Sequence, residues 1–164
     1  MEIINAPNDW NLEDGKIKCF LAGGLQKCNW HDTVLNYLKN KETSNLVLFN
    51  PKRDDFDIGN QNMEYEQISW EFQYLNTFKR DKDFFFSIFF DASESVQPIC
   101  FYELGRMLAI LQPEQCVVSV HPRFSRRNDV IIQTELATAG EVPVLQVLPE
   151  VHAERIYEKY KNLI

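Results

Sequence analysis

No stretch of this chain approaches the roughly twenty consecutive apolar residues that a membrane-spanning helix requires. The nearest thing to one, Phe84–Phe90, is seven residues long and is interrupted by Ser87. The first fifteen residues, MEIINAPNDWNLEDG, have no basic segment followed by an apolar core, so no signal peptide and a cytoplasmic location are expected. Positive charge is in short supply: 17 Lys and Arg stand against 24 Asp and Glu, a net charge of −7. Phosphate backbones demand a basic surface, which argues against DNA or RNA as a partner. Cysteine is sparse too. Cys19, Cys28, Cys100 and Cys116 form no C-x-x-C pair and read as reduced thiols of a cytosolic protein. The three histidines, at 31, 121 and 152, have no ligand-like spacing, so no metal is expected. Neither a G-x-G-x-x-G fingerprint, nor a P-loop lysine, nor a G-x-S-x-G elbow is present, and no cofactor is expected.

What remains is a single globular domain of 164 residues, 45% apolar and 25% charged. Residues 1–15 are polar and read as a loose arm or edge segment. Five strands follow: Ile17–Ala22, Asn45–Phe49, Phe84–Phe90, Gln115–Val120 and Val142–Leu148. Helical spacing fills the gaps, over Trp30–Leu38, Met63–Phe78, a helix opened by Pro98, Arg126–Ala139 and Glu150–Leu163. In the second helix Ile68, Phe72 and Leu75 form the apolar stripe, and in the fourth Val130, Ile131, Leu136 and Ala137 can pack. The alternation implies an α/β fold, a five-stranded parallel sheet with helices on both faces.

In such a sheet the carboxyl ends of the strands share one edge, where ligands bind. That rule gathers four loops: Gly23-Gly24, Asn50–Asn62, Asp91–Gln97 and His121–Arg127. The unbroken apolar strand Phe84–Phe90 feeds the third loop and the Pro98 helix, and in that apolar helix sits one carboxylate, Glu103. It is open to two readings. One is an ordinary glutamate on an amphipathic helix; the other is a carboxylate nucleophile acting on a sugar carbon. Gly105, mid-helix, hints at close packing or is tolerated without purpose.

The motifs FLAGG (20–24), Trp30, NPKR (50–53), QISWE (67–71), PICFYELG (98–105), HPRF and a later IQTEL, in this order, resemble the nucleoside 2-deoxyribosyltransferase-like family over about Ile17–Leu148. The resemblance implies a five-stranded, flavodoxin-like (Rossmann-like) three-layer sandwich. It implies cleavage of the N-glycosidic bond of a (deoxy)nucleoside, with transfer of the sugar to another base or to water. Glu103 matches the family's nucleophile and Glu71 an acidic position that orients it. Gly23 and Gly24 match the loop lining the sugar pocket. Trp30, Asn50, Ser95, Pro98, Tyr102 and His121 are further expected substrate-binding positions. Asn128 and Asp129 match residues that reach a neighbouring subunit's site, and a homo-oligomer, dimer or higher, is the implied assembly.

The chain departs from the family where the founding enzymes carry a loop aspartate six residues before the nucleophile. Here that position is Gln97, an amide that hydrogen-bonds but is no general acid. Asp91 and Glu94 are the acids nearby. Arg53 and Arg126 suggest an alternative substrate, a nucleotide 5′-monophosphate held by arginine. An alternative of another class is a non-catalytic nucleotide-binding module, which the loss of the loop acid favours. Trp30, Tyr102 and Phe124 offer rings to stack on a base, or pack in the core or an interface.

Overall fold

The computed structural model describes residues 1–11, 15–57, 59–93 and 96–164. Their organisation follows from β4, Phe84–Phe90, whose seven side chains are all buried. A strand reads as a continuous apolar run when helices cover both faces of its sheet. Alternate residues divide accordingly. Phe84, Phe86, Ile88 and Phe90 pack into a core with Trp70, Tyr74, Leu104 and Val130. Phe85 and Phe89 pack into a second core with Trp30, Val34, Ala153 and Ile156. The first core therefore takes α2 (Gln61–Thr77), α3 (Pro98–Leu108) and α4 (Arg127–Thr138). The second takes α1 (Trp30–Lys39) and α5 (Pro149–Lys161).

Ser87, the one polar residue of that run, faces the second core and is bonded there. Its Oγ lies 2.9 Å from His152 Nε2, and His152 Nδ1 lies 2.9 Å from Ser119 Oγ of β5 (Cys116–Val120). The imidazole thus ties β4, α5 and β5 together with each of its polar atoms paired, as buried polar groups require.

Among the described residues the sheet has six strands, all parallel, in the order β1 (Glu2–Asn5), β3 (Leu46–Asn50), β2 (Ile17–Gly23), β4, β5, β6 (Val144–Gln146). The expectation of five is corrected by β1, which pairs with β3 at the sheet edge. The arm is fixed beyond the strand as well: the Trp10 N–H donates to Tyr74 Oη at 2.8 Å, and Trp70 Nε1 donates to the Asn8 carbonyl at 2.8 Å. With β1 set aside, the order of the remaining five is 2-1-3-4-5, one of the two common doubly wound arrangements. Its topological switch lies between β2 and β4. β5 and β6 complete the far side.

Two expected core faces are corrected. Ile68 and Phe72 are 64% and 56% exposed, and α2 instead buries Gln67, Trp70, Tyr74 and Leu75. Leu136 of α4 is exposed, while Val130 and Thr134 are buried. Gly105 is not explained by close packing, since a Cβ there would meet nothing within 4 Å. Among the described residues, no helix is long and apolar enough to cross a membrane.

The second core holds another histidine at a cost. His31 is wholly buried, its ring tilted against Trp30 at 3.7 Å between ring centroids. Among the described residues no side chain pairs with either ring nitrogen, and the Leu21 backbone is a hydrogen-bonding group that acts on the ring. Burial, with Lys52 nearby, lowers its pKa to about 3, and burial alone does the same for His152. A group whose folded pKa is depressed in this way binds its proton in the unfolded chain first. Its stabilising share is present above about pH 6.5 and is lost as pH falls toward 3. Replacing His31 by leucine removes one such group. The unfolding free energy of the wild type is therefore expected to fall relative to His31→Leu between pH 6 and 4, by about 1.4 kcal/mol per pH unit. Urea titrations of the two proteins check this; parallel pH profiles would show that His31 is not held neutral.

Candidate active site

The carboxyl ends of β2 and β3 and the helices α2 and α3 enclose a cavity of about 500 Å³ at the switch point. That volume lies within the ordinary range for small-molecule sites. Ala22, Gly23 and Gly24 form one wall, Gln67 and Glu71 of α2 a second, and Gln97, Pro98 and Glu103 of α3 a third.

Each wall has a local cause. Gly23 has φ +144°, and a Cβ there would collide with the Phe89 carbonyl oxygen and lie 2.7 Å from Trp30 Cζ2. A glycine lets the chain turn over the indole at that point. Trp30 Nε1 then donates to the Gly24 carbonyl at 3.0 Å, so the tryptophan supports the loop from beneath and is not among the cavity-lining residues. α2 starts at Asn60, whose side chain accepts from the N–H groups of Asn62 and Met63, an ordinary N-cap. α3 starts at Gln97 with Pro98 in its first turn.

The cavity's chemistry is set by two half-buried carboxyl groups on neighbouring helices. Removal from water pushes the Glu103 carboxyl up to about 8; the charge of Glu71 adds to this, and Arg106, one turn along α3, opposes it. Glu71 is raised as well, first by burial, while a hydrogen bond from Gln67 works the other way. Two like charges in one partly dry space resist ionising together, and the pair titrates as a unit. Arg106 is the one cationic side chain lining the cavity among the described residues. Its guanidinium lies over the Phe72 ring at 4.6 Å. Ile68, Phe72, Ile99 and the 69%-exposed Tyr102 form an apolar rim, which accounts for the exposure of the α2 stripe.

Other residues singled out from the sequence fall in varied places. Gln97 is buried at the cavity wall, and its Nε2 donates to the Asp91 carbonyl at 2.8 Å. Asp91 accepts from the N–H and hydroxyl of Ser93 and does not line the cavity. Glu94 and Ser95 lie outside the described residues. Asn50 donates to Asn5 Oδ1 at 2.8 Å and accepts from the Lys52 N–H, bracing the end of β3. Arg53 reaches away from the cavity, held by both oxygens of Asp55 at 3.0 Å and by Glu66 at 2.7 Å. His121 is buried at the end of β5 and accepts from the Arg123 N–H. Phe124 is core, packed on Phe90. Asn128 is exposed, and Asp129 pairs with Arg126 at 2.9 Å beside a separate groove between α3 and α4.

A family profile described as nucleoside 2-deoxyribosyltransferase like matches residues 16–124, more than half of the chain. The chain belongs to that family. No curated protein matched it. The matched span contains every residue that lines the cavity, and it stops short of Asn128 and Asp129.

Two residues of the site are not singled out by the sequence, Arg106 and Gln67. Gln67 was noted only as the first letter of a motif, yet it is buried in the cavity wall and bonded to Glu71. The available signal was its spacing: four residues before Glu71 on a helix places the two side chains side by side.

The mutual field of the carboxyl groups gives a direct prediction. Glu71→Gln removes the negative charge that raises Glu103, so the Glu103 pKa is expected to fall by on the order of one unit. Carbon-detected NMR titration of glutamate carboxyls reads this without any substrate. An unmoved or higher Glu103 pKa would show that the two groups do not share a field.

Proposed function

We propose that this protein cleaves the N-glycosidic bond of a nucleoside or deoxynucleoside, with Glu103 as the nucleophile. The observation that carries this reading is a carboxyl pair, Glu103 with Glu71, lining one cavity at the topological switch of the sheet. In the first step an ionised Glu103 oxygen attacks C1′ of the sugar. The C1′–N bond breaks, its electron pair leaves with the base, and an ester links the sugar to Glu103. In the second step a nitrogen of another base, or water, attacks C1′, the Glu103 carboxylate departs, and the incoming N–H or O–H proton passes to solvent. Glu71 aligns the nucleophile, and its negative charge favours the positive charge that grows on the sugar ring.

The burial that raises Glu103 keeps it protonated below about pH 8, so catalytic competence grows as pH rises toward that value. Gln97 has no acidic proton to give a departing base. The base then takes its proton from water, and bases that carry negative charge well are the better leaving groups. The nucleotide alternative draws no support from Arg53 or Arg126, because both are engaged by carboxylates and, among the described residues, only Arg106 adds a positive charge to the cavity lining.

One observation favours a second reading, a module that binds nucleosides without turning them over. The position of the loop acid is an amide, and that amide is used to hold the loop through the Asp91 carbonyl. A single experiment separates the two. Chromatography of a nucleoside panel with the wild type and with Glu103→Ala is expected to show base release that the substitution reduces at least a thousandfold, about 4 kcal/mol of barrier. Equal release by a folded Glu103→Ala protein would remove the nucleophile assignment. Calorimetric binding with no release by the wild type would favour the module.

A further inference from the structure

Gln67 makes an unusual set of contacts for a residue on the wall of a cavity. Its Nε2 donates to the Pro51 carbonyl at 2.8 Å and to Glu71 Oε1 at 2.7 Å. Both partners are acceptors, so the amide orientation is fixed: only the NH₂ group can face them. The consequence is that Oε1 of the same amide is buried with no hydrogen-bond partner. Leaving a buried carbonyl unpaired is destabilising. An apolar side chain of the same length would avoid that cost, and the other residues that α2 buries are Trp70, Tyr74 and Leu75. The two donations are therefore what a glutamine supplies at this point and an apolar residue would not.

We propose that Gln67 is the positioning residue of the carboxyl pair: it ties Glu71 Oε1 to the loop after β3 and so fixes the carboxylate that faces Glu103. This rests on the reading of that pair as the reactive centre, and it adds a residue that acts on Glu103 only through Glu71. The Pro51 bond gives the arrangement its stiffness. Pro51 follows directly on β3, so one amide fastens a side chain of α2 to the end of a buried strand. Without it, a glutamate on the helix surface has several rotamers to visit.

The electrostatic effect has a definite sign. A donor on Oε1 favours the ionised form of Glu71, and an ionised Glu71 discourages ionisation of Glu103. The other charged group facing the pair is Arg106 of α3, which acts oppositely on Glu103. On the loop after β3, Lys52 is bound to Asp32 at 2.7 Å and Arg53 to Asp55 and Glu66, so the nearby charges of that loop are already engaged.

The test is a double-mutant cycle read by the NMR titration of Glu103 in the whole, ligand-free chain, with Gln67→Leu, Glu71→Gln and the double variant. Gln67→Leu is expected to lower the Glu103 pKa, in the same direction as Glu71→Gln. In the Glu71→Gln background the same substitution is expected to cause no further shift. A residue that merely supports the fold would lower the melting temperature and leave the titration where it was. An unmoved titration in Gln67→Leu, or shifts that add fully in the double variant, would overturn the proposal. Gln67→Met serves if the leucine variant does not fold; if neither folds, Gln67 supports the structure at large and the proposal fails. The readout needs no turnover, so it stands apart from the fate of the nucleophile assignment, which Glu103→Ala decides.

Discussion

The arrangement depends on two glutamates being held in each other's field where little water reaches them. Both are half-buried, and removal from water is the first cause that raises each of them. On α2 and α3 around the end of β2, the charge of Glu71 then adds to the rise that burial gives Glu103. Repulsion of this kind is destabilising by itself, so the fold has to hold it in place. It does so with a strand apolar on both faces and a glycine that lets the chain turn tightly over Trp30. A glutamine adds two donors, at the expense of its own unpaired oxygen.

The two cores divide the labour. The face packed by α1 and α5 holds two buried imidazoles, His31 and His152, and contributes no side chain of those helices to the cavity. The face packed by α2, α3 and α4 carries the site, and there the aromatic cluster of Phe49, Trp70, Tyr74 and Phe78 anchors α2 to the sheet. The amino-terminal segment joins that cluster through Trp10, at 5.7 Å from Phe49 between ring centroids. Its strand therefore stiffens the edge beside the helix that bears Glu71.

Much of the architecture was legible in the sequence, because a parallel sheet covered on both faces writes itself as apolar runs separated by helical spacing. The bounds of β4 were readable to the residue for that reason. Strand β1 was not, since four residues with one buried side chain give no period to read. Ile68 and Phe72 were misread for a different reason: helical periodicity marks an apolar face without saying whether it meets a core or the rim of a cavity. Glu103 and Glu71 emerged through the resemblance to a family, not through spacing. Gln67 stayed hidden because its role lies in a bond to the Pro51 carbonyl, a backbone group from another part of the chain that no sequence pattern displays.

The most direct measurement of the central claim is mass spectrometry of the protein quenched in acid during turnover of a deoxynucleoside. The account predicts a mass increase of one deoxyribosyl unit on the peptide containing α3, with fragmentation placing it on Glu103. Turnover with no such adduct, or an adduct on Glu71 instead, would contradict it.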